Sequence, residues 1–528
     1  MSKLWRDVSS LYQIYPRSYQ DTNNDGVGDL PGITSRLGYL SWLGIDAIWI
    51  SPFFKSPMTD FGYDISNYRE IDPVFGTMDD FTELLERAHR YDIKVMIDLV
   101  PCHTSDQHDW FKESRSSLDN PKRDYYVWRD PSADGGPPNN WRSLATGSSW
   151  TLDETTGQYY LHSFLPSQPD LNWDNPQVRQ EMTDVVRFWY EKGVDGLRVD
   201  AIWGISKDLD LADDPINPDF HDDLEQYGSY IHNRCKYGPN FDNYLGELAA
   251  VNQEFDDRYM VFEFYPDEQL GNIYDQYSRV RSVNSTTSAF FMEYRHNHWH
   301  ASDTLGSIRA YLDREVNSTP FFCIGNHDQP RVSSRLGFER ARALSFQNLT
   351  TPGVSVVYYG DEIGMENGNL SADDIQDTFS PSHTKFDSRD LERTPMQWNE
   401  SEFAGFSESN PWLPVHADRE CVNVVTQSVH DNSLLNMHRR LLHLRTELPV
   451  LRQGSLLPLD LNNGYVLAFE RRLGDTKAFV LVNYADSAQH VILPEIARPL
   501  VSTSRTNENE QPISELELGP YQAMLLLV

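Results

Sequence analysis

The run GLRVDAI at residues 196–202 opens with apolar residues and then sets a carboxylate, Asp200, where a buried strand has to stop. Two further runs share this design. MVFEFYP (260–266) carries Glu263 after its apolar stretch, and FCIGNHDQPR (322–331) reaches Asp328. A carboxylate at the C-terminal end of a parallel strand points into the mouth of an α/β barrel, where the chemistry of that architecture is done.

Working outward, the same strand-then-helix alternation runs along most of the chain. LYQIYP (11–16), IDAIWIS (45–51), IKVMIDLV (93–100), GLRVDAI, YMVFEF (259–264), SAFFMEY (288–294), PFFCIGN (320–326) and VSVVYYG (354–360) read as eight buried strands. Between the second and third, Thr77–Asp92 reads as a helix with Phe81, Leu84, Leu85 and Ala88 on one face, Thr77 as its cap and Asp80 near its positive end. DNSLLNMHRRLLHLRTEL (431–448) closes the series, with Leu434, Met437, Leu441, Leu444 and Leu448 on one stripe. The fold class is α/β, a closed (β/α)8 TIM barrel.

Two stretches interrupt the alternation. The segment 104–172, rich in Pro, Gly, Asp and Trp, is too long for a plain loop and is assigned as an inserted domain after strand three. A second insertion spans roughly 361–415. After Leu451, short strands divided by turn residues mark an antiparallel β domain over 452–528. The barrel thus comprises 1–103 and 173–451.

Composition narrows the function. The net charge of −34 argues against nucleic-acid and anionic-membrane partners, both of which need a basic face. No stretch approaches 18 continuous apolar residues. Four cysteines (102, 235, 323, 421) show neither metal spacing nor a paired framework, and the N-terminal residues contain no apolar signal segment, so a cytoplasmic location is expected. Monomer and homodimer stay equally open.

DTNNDGVGD (21–29) offers oxygen ligands at Asp21, Asn23, Asp25 and Asp29, with the carbonyl of Val27. Alternating acidic residues around a DG turn suit one structural divalent cation, Ca2+ or Mg2+. No organic cofactor is expected.

Taken in order, QIYPRSYQDTNNDGVGDLPGI (13–33), FGYDIS (61–66), DLVPCH (98–103), PPNNW (137–141), QPDLN (168–172), GLRVDA (196–201), NHDQPR (326–331) and RTPMQW (393–398) resemble the α-amylase superfamily of glycoside hydrolases, specifically its α-glucosidase and oligo-1,6-glucosidase group. The resemblance covers essentially the whole chain. It implies a retaining mechanism on a small oligosaccharide, with Asp200 as nucleophile, Glu263 as acid/base and Asp328 as transition-state stabiliser. It further implies that His103 and His327 bond sugar hydroxyls, that Tyr63 stacks beneath the sugar, that Phe164 forms a wall, and that Asp64 and Arg393 pair to close the pocket, with Arg389 a competitor. Cys102 stands where the family usually has Asn.

The residues themselves bear on these roles. Arg198 lies two positions before Asp200 on the same strand face, where a permanent cation lowers a carboxyl pKa. Glu263, between Phe262 and Phe264, lacks a basic sequence neighbour, so its pKa is expected to rise. A retaining enzyme holds its two carboxyls about 5–5.5 Å apart. Glu247 in GELAAV is a rival acid, but its run reads as a helix with Glu247 facing solvent.

The leading reading is an exo-acting α-glucosidase. In this group Ala after the nucleophile, here Ala201, accompanies α-1,4 preference, whereas Val accompanies α-1,6. The alternative is an α-glucosyltransferase or isomerase (sucrose isomerase, trehalose synthase) using the same covalent intermediate. A non-catalytic relative with this fold would have lost carboxylates that this chain retains.

Overall fold

The computed structural model describes residues 3–221, 227–293, 299–314, 316–379, 388–504, 508 and 511–528. Eight parallel strands close into a barrel: β1 (Ser10–Ile14), β2 (Ala47–Ile50), β3 (Lys94–Leu99), β4 (Gly196–Val199), β5 (Tyr259–Phe262), β6 (Thr287–Phe291), β7 (Phe321–Cys323) and β8 (Val354–Tyr358), with β8 pairing back onto β1. Being buried on both faces, these strands read as continuous apolar runs rather than as alternation.

Alternation inside the barrel builds the site's floor. Leu11, Ala47, Met96, Val261, Phe321 and Val356 pack together in the interior. Two residues further along β1, β2 and β3, parity brings Gln13, Trp49 and Asp98 onto that same face, above the apolar layer. Register sets Asp98 directly against Arg198 on β4, and Arg198 against Val261 on β5. Backbone bonds then carry the ladder one step beyond the strands, from Asp200 N–H to Leu99 O (2.8 Å) and from Glu263 N–H to Val199 O (2.9 Å).

The helices hold this frame. Met78–Arg90 begins with a complete capping box between Thr77 and Asp80, and buries Phe81, Leu84, Leu85 and Ala88. Phe241–Ala250 carries Glu247 outward, where it pairs with Arg179 at 2.7 Å. The expected strands are trimmed at their ends: the sixth stops at Phe291, and its expected last residue, Tyr294, lies outside the described residues. The seventh stops at Cys323, leaving Asp328 on the following loop rather than at the strand end.

The long connection after β3 contains a three-stranded sheet (Trp128–Arg129, Gln158–Leu161, Trp150–Asp153) fastened to its own base by bridges between His103 and Asp170 and between Tyr126 and Leu171. The insertion after β8 includes residues 380–387, outside the described residues. A six-stranded antiparallel sheet covers 455–527. It docks on the barrel through Arg471, which donates to the carbonyls of Thr350 and Leu451, and through Tyr484 Oη, which donates to Gln347. Among the described residues no helix is long and apolar enough to cross a membrane.

Candidate active site

Arg198 is the hub of the barrel mouth. Its Nη1 donates to Asp98 Oδ1 and Asp200 Oδ1, both at 2.7 Å, and its Nη2 lies 2.7 Å from Glu263 Oε1. The guanidinium is 1% exposed and lies 4.9 Å from the Trp49 ring centroid. Glu263 takes two further donors, Ala201 N–H on Oε2 (3.0 Å) and Tyr265 Oη on Oε1 (3.2 Å). Glu263 therefore does have a cationic neighbour, contrary to the sequence reading. The reason is cross-strand: pairing of Val199 with Phe262 sets the end of β5 beside Arg198.

One guanidinium faces three buried carboxylates. Burial pushes the Asp200 carboxyl well above the usual range, Arg198 offsets only part of this, and Glu263, Asp98 and Asp328 add to it. Asp98 is pushed up to about 6, again by burial against the opposing pull of Arg198. The sequence reading, in which Arg198 depresses Asp200, is overturned first by burial and then by the other carboxylates that share that cation.

Asp328 has the opposite balance. Burial raises its carboxyl, but His327 at 3.3 Å, Arg389 at 3.3 Å and Arg393 at 3.0 Å outweigh it and hold it well below the ordinary carboxylate range. His327 is kept neutral by burial. With the Gln13 amide donating to Nδ1 (2.8 Å), His327 Nε2 carries the proton and meets Tyr63 Oη at 2.7 Å. Tyr63 in turn donates to Asp98 at 3.2 Å, and its ring stacks on His327 with centroids 5.4 Å apart.

The expected pair of Asp64 and Arg393 is not formed. Asp64 is fully buried and accepts from Ser56 Oγ and the N–H groups of Thr59 and Asp60, so it ties its own turn together. Arg393 donates to His327 O and Asp328 instead. The ion pair across this end joins Asp60 to Arg389 at 2.6 Å, and Asp377 grips the same guanidinium through Nε (2.9 Å) and Nη2 (2.8 Å). Gln168 donates to Asp60 and approaches His103 Nε2, whose burial lowers its pKa. Among the described residues, buried His103 Nδ1 has no hydrogen-bond partner. Phe164 packs between His103 and Trp203, with ring centroids 5.0 and 5.5 Å away.

Ala201 follows Asp200 with φ 42° and ψ 44°, a left-handed conformation, and its side chain packs with Cys102 and Trp203. In the 21–29 loop, Asp21 accepts from the N–H groups of Asn23, Asn24 and Gly26, and Asp25 accepts from Val27 N–H. Asp29 caps the helix Leu30–Leu43 and takes both Thr22 donors. The loop's side-chain acceptors are all oxygens, the donor chemistry a hard cation needs, and in this structure they accept hydrogen bonds from the loop itself and from Ser407.

Residues 13–454 match the alpha-amylase catalytic domain family. The chain belongs to the α-amylase family of glycoside hydrolases. A probable alpha-glucosidase of Rhizobium meliloti is 40% identical over 509 residues, covering 93% of this chain and 91% of that protein. The oligo-1,6-glucosidase of Parageobacillus thermoglucosidasius is 36% identical over 571 residues, covering 99% of both. Among solved structures, an alpha-glucosyl transfer enzyme, XgtA, superposes with a TM-score of 0.91 at 36% identity, and the trehalulose synthase MutB of Pseudomonas mesoacidophila with 0.88 at 35%, each covering 99% of both chains. These relatives place the chain in the α-glucosidase group of the α-amylase family, as an enzyme.

Within this glycoside hydrolase, sequence reasoning missed Asp98, Asp60 and Asp377. Asp98 is a lone carboxylate in an otherwise apolar strand, a signal that was available in IKVMIDLV. Asp60 and Arg389 lie 329 residues apart, and nothing local links them.

Proposed function

We propose that this enzyme is an exo-acting α-glucosidase that releases glucose from the non-reducing end of short α-glucosides, preferring α-1,4 links, with retention. One observation supports the exo reading: the Asp60–Arg389 ion pair, backed by Asp377, stands beside Asp328 at one end of the barrel mouth. Asp200 attacks the anomeric carbon and Glu263 hands its proton to the departing oxygen. Glu263 then takes a proton from the water that opens the glycosyl-enzyme. Asp328, held anionic, binds ring hydroxyls and favours positive charge at the anomeric centre. His103 Nδ1, unpartnered among the described residues, can bond a further hydroxyl. Ala201, directly after the nucleophile, is the residue on which the α-1,4 preference rests.

Products from maltose, isomaltose, sucrose and trehalose test this reading: glucose alone from maltose, faster than from isomaltose, supports it. Trisaccharide or isomerised disaccharide as the main product would transfer support to the second reading, glucosyl transfer or isomerisation, which the likeness to XgtA and MutB favours. Retention and roles are tested by azide rescue of the Asp200→Ala and Glu263→Ala variants. The assignments require β-glucosyl azide from the first and α-glucosyl azide from the second; the reverse pattern would exchange the two roles.

The 21–29 loop we assign to one structural Ca2+ or Mg2+, held by Asp21, Asn23, Asp25, Asp29 and the Val27 carbonyl, away from the reacting bond. A cytoplasmic home is in keeping with four free thiols.

A further inference from the structure

The segment after β4, which carries the nucleophile's neighbours Ala201 and Trp203, runs on to Tyr237 and holds a second cluster of chemistry-bearing side chains. Asp214, His232 and Cys235 are all buried, and their side-chain ligand atoms lie within 4.8 Å of one another. His232 Nδ1 is 3.2 Å from Asp214 Oδ2 and 3.6 Å from Cys235 Sγ. None of the three belongs to the site described above.

The proton count at His232 is the informative detail. Its Nε2 lies 2.8 Å from the carbonyl of Tyr227, which can only accept, so Nε2 carries a hydrogen. Nδ1 is left facing Asp214 Oδ2 and the Cys235 sulfur, so one nitrogen, one oxygen and one sulfur ligand atom lie together in a buried setting. The distances suit a tetrahedral ion: bonds of about 2.05 Å to nitrogen, 2.1 Å to oxygen and 2.3 Å to sulfur give an N···S edge of about 3.6 Å and an N···O edge of about 3.4 Å. A histidine whose outer nitrogen is held by a backbone carbonyl has its ring oriented and its inner nitrogen made more basic, as metal-binding histidines do.

The surroundings are built rather than incidental. Asp214 is pinned by Arg234 N–H on Oδ1 (3.0 Å) and by Asn140 of the inserted domain, through Asp214 N–H to Asn140 Oδ1 (2.8 Å) and Asn140 Nδ2 to Asp214 O (2.9 Å). The His232 ring stacks on Tyr227 with centroids 3.8 Å apart. Two cations lie nearby. Lys207 is committed to Asp170 at 3.0 Å and to the carbonyl of Gly204, and Lys236 Nζ lies over the rings of Trp203 and Tyr227. The comparable cluster Cys102, His103 and Asp170 differs, because the Lys207 ammonium already neutralises Asp170.

We propose that Asp214, His232 and Cys235 bind one zinc ion, with water as fourth ligand, and that the ion cross-links Asp214 to the 232–235 stretch within the segment after the nucleophile strand. Thiolate, imidazole and carboxylate together select zinc over calcium or magnesium. On binding, the Cys235 thiol ionises and its proton passes to solvent, so uptake near neutral pH is accompanied by acid release.

The test is titration of the whole, metal-stripped protein with Co2+ and competition by Zn2+. One equivalent of Co2+ giving a thiolate-to-cobalt charge-transfer band, displaced by Zn2+ with proton release, is the expected result. Cys235→Ser abolishes the band and weakens Zn2+ at least about tenfold, whereas Cys102→Ser keeps both. The 21–29 loop, having only oxygen donors, cannot give that band. Absence of the band in the wild-type protein, or its survival in Cys235→Ser, overturns the proposal and leaves His232 as a structural hydrogen-bond partner of Asp214.

Discussion

Replacing Ala201 with Val tests the linkage reading most directly. Ala201 is 2% exposed, sits at φ 42°, donates its N–H to Glu263 Oε2 at 3.0 Å, and packs against Cys102 and Trp203 with Phe164 and Tyr237 beside them. Valine adds two methyl groups to that wall. A β-branched residue in the left-handed region carries strain of about 1–3 kcal/mol, which should appear as a lower urea midpoint. A change of this size in the wall of a sugar site discriminates between substrates by about 1–3 kcal/mol. The expected outcome is therefore a rise of at least about tenfold, some 1.4 kcal/mol, in the isomaltose-to-maltose ratio of kcat/KM, arising mostly from loss on maltose. The assay is initial-rate glucose release from both disaccharides by both proteins. A folded variant whose ratio moves by less than twofold would refute the reasoning. So would an equal loss on both substrates, which would mean that the residue acts only through its bond to Glu263.

Asp377→Asn keeps the shape but removes the charge that grips Arg389; with charge-assisted bonds at about 1.5–3 kcal/mol, kcat/KM on maltose should fall roughly 10–100-fold, and an unchanged value would show that Asp60 alone orients the arginine. Glu392 is pushed up to about 8 by burial, so it contributes stability that is complete below its unfolded pKa and is lost as pH rises through 8. Glu392→Gln should accordingly gain on the wild type from pH 5 to pH 9, by about 4 kcal/mol in urea unfolding, and a pH-independent difference would contradict the assigned cause. Removing divalent ions should lower Tm by several degrees, with Ca2+ or Mg2+ restoring it in the wild type but not in Asp21→Ala, whereas indifference to chelators would dismiss the loop as a metal site.

The barrel was legible because parallel strands buried on both faces leave unbroken apolar runs in the sequence, and because strand-end acids break those runs at a fixed parity. Asp200 and Glu263 follow β4 and β5 directly, so strand reading alone located both. What lay beyond reach was whatever depends on register or on distant pairing. Asp98 meets Arg198 only because β3 and β4 align those two residues, and Glu263 gains Arg198 only because β5 lies beside β4. Asp64 looked like the pocket's closing acid since it stands in a motif, yet three nearby donors consume it, while Asp60, four residues earlier, finds Arg389 across the chain.

The two arginine groupings divide the mouth into regions of unlike proton affinity. Around Arg198, burial pushes the carboxyls of Asp98 and Asp200 up, and the one guanidinium they share with Glu263 offsets only part of this. Asp328 is buried too, but two guanidiniums, Arg389 at 3.3 Å and Arg393 at 3.0 Å, hold its carboxyl down even though Arg389 is shared with Asp60 and Asp377. A glycosidic bond lying between them meets a fixed negative charge on the side of Asp328. The contrast between Asp200 and Asp328 is therefore set by whether the nearby guanidiniums outweigh burial, a balance that depends on cross-strand and long-range pairing rather than on sequence neighbours.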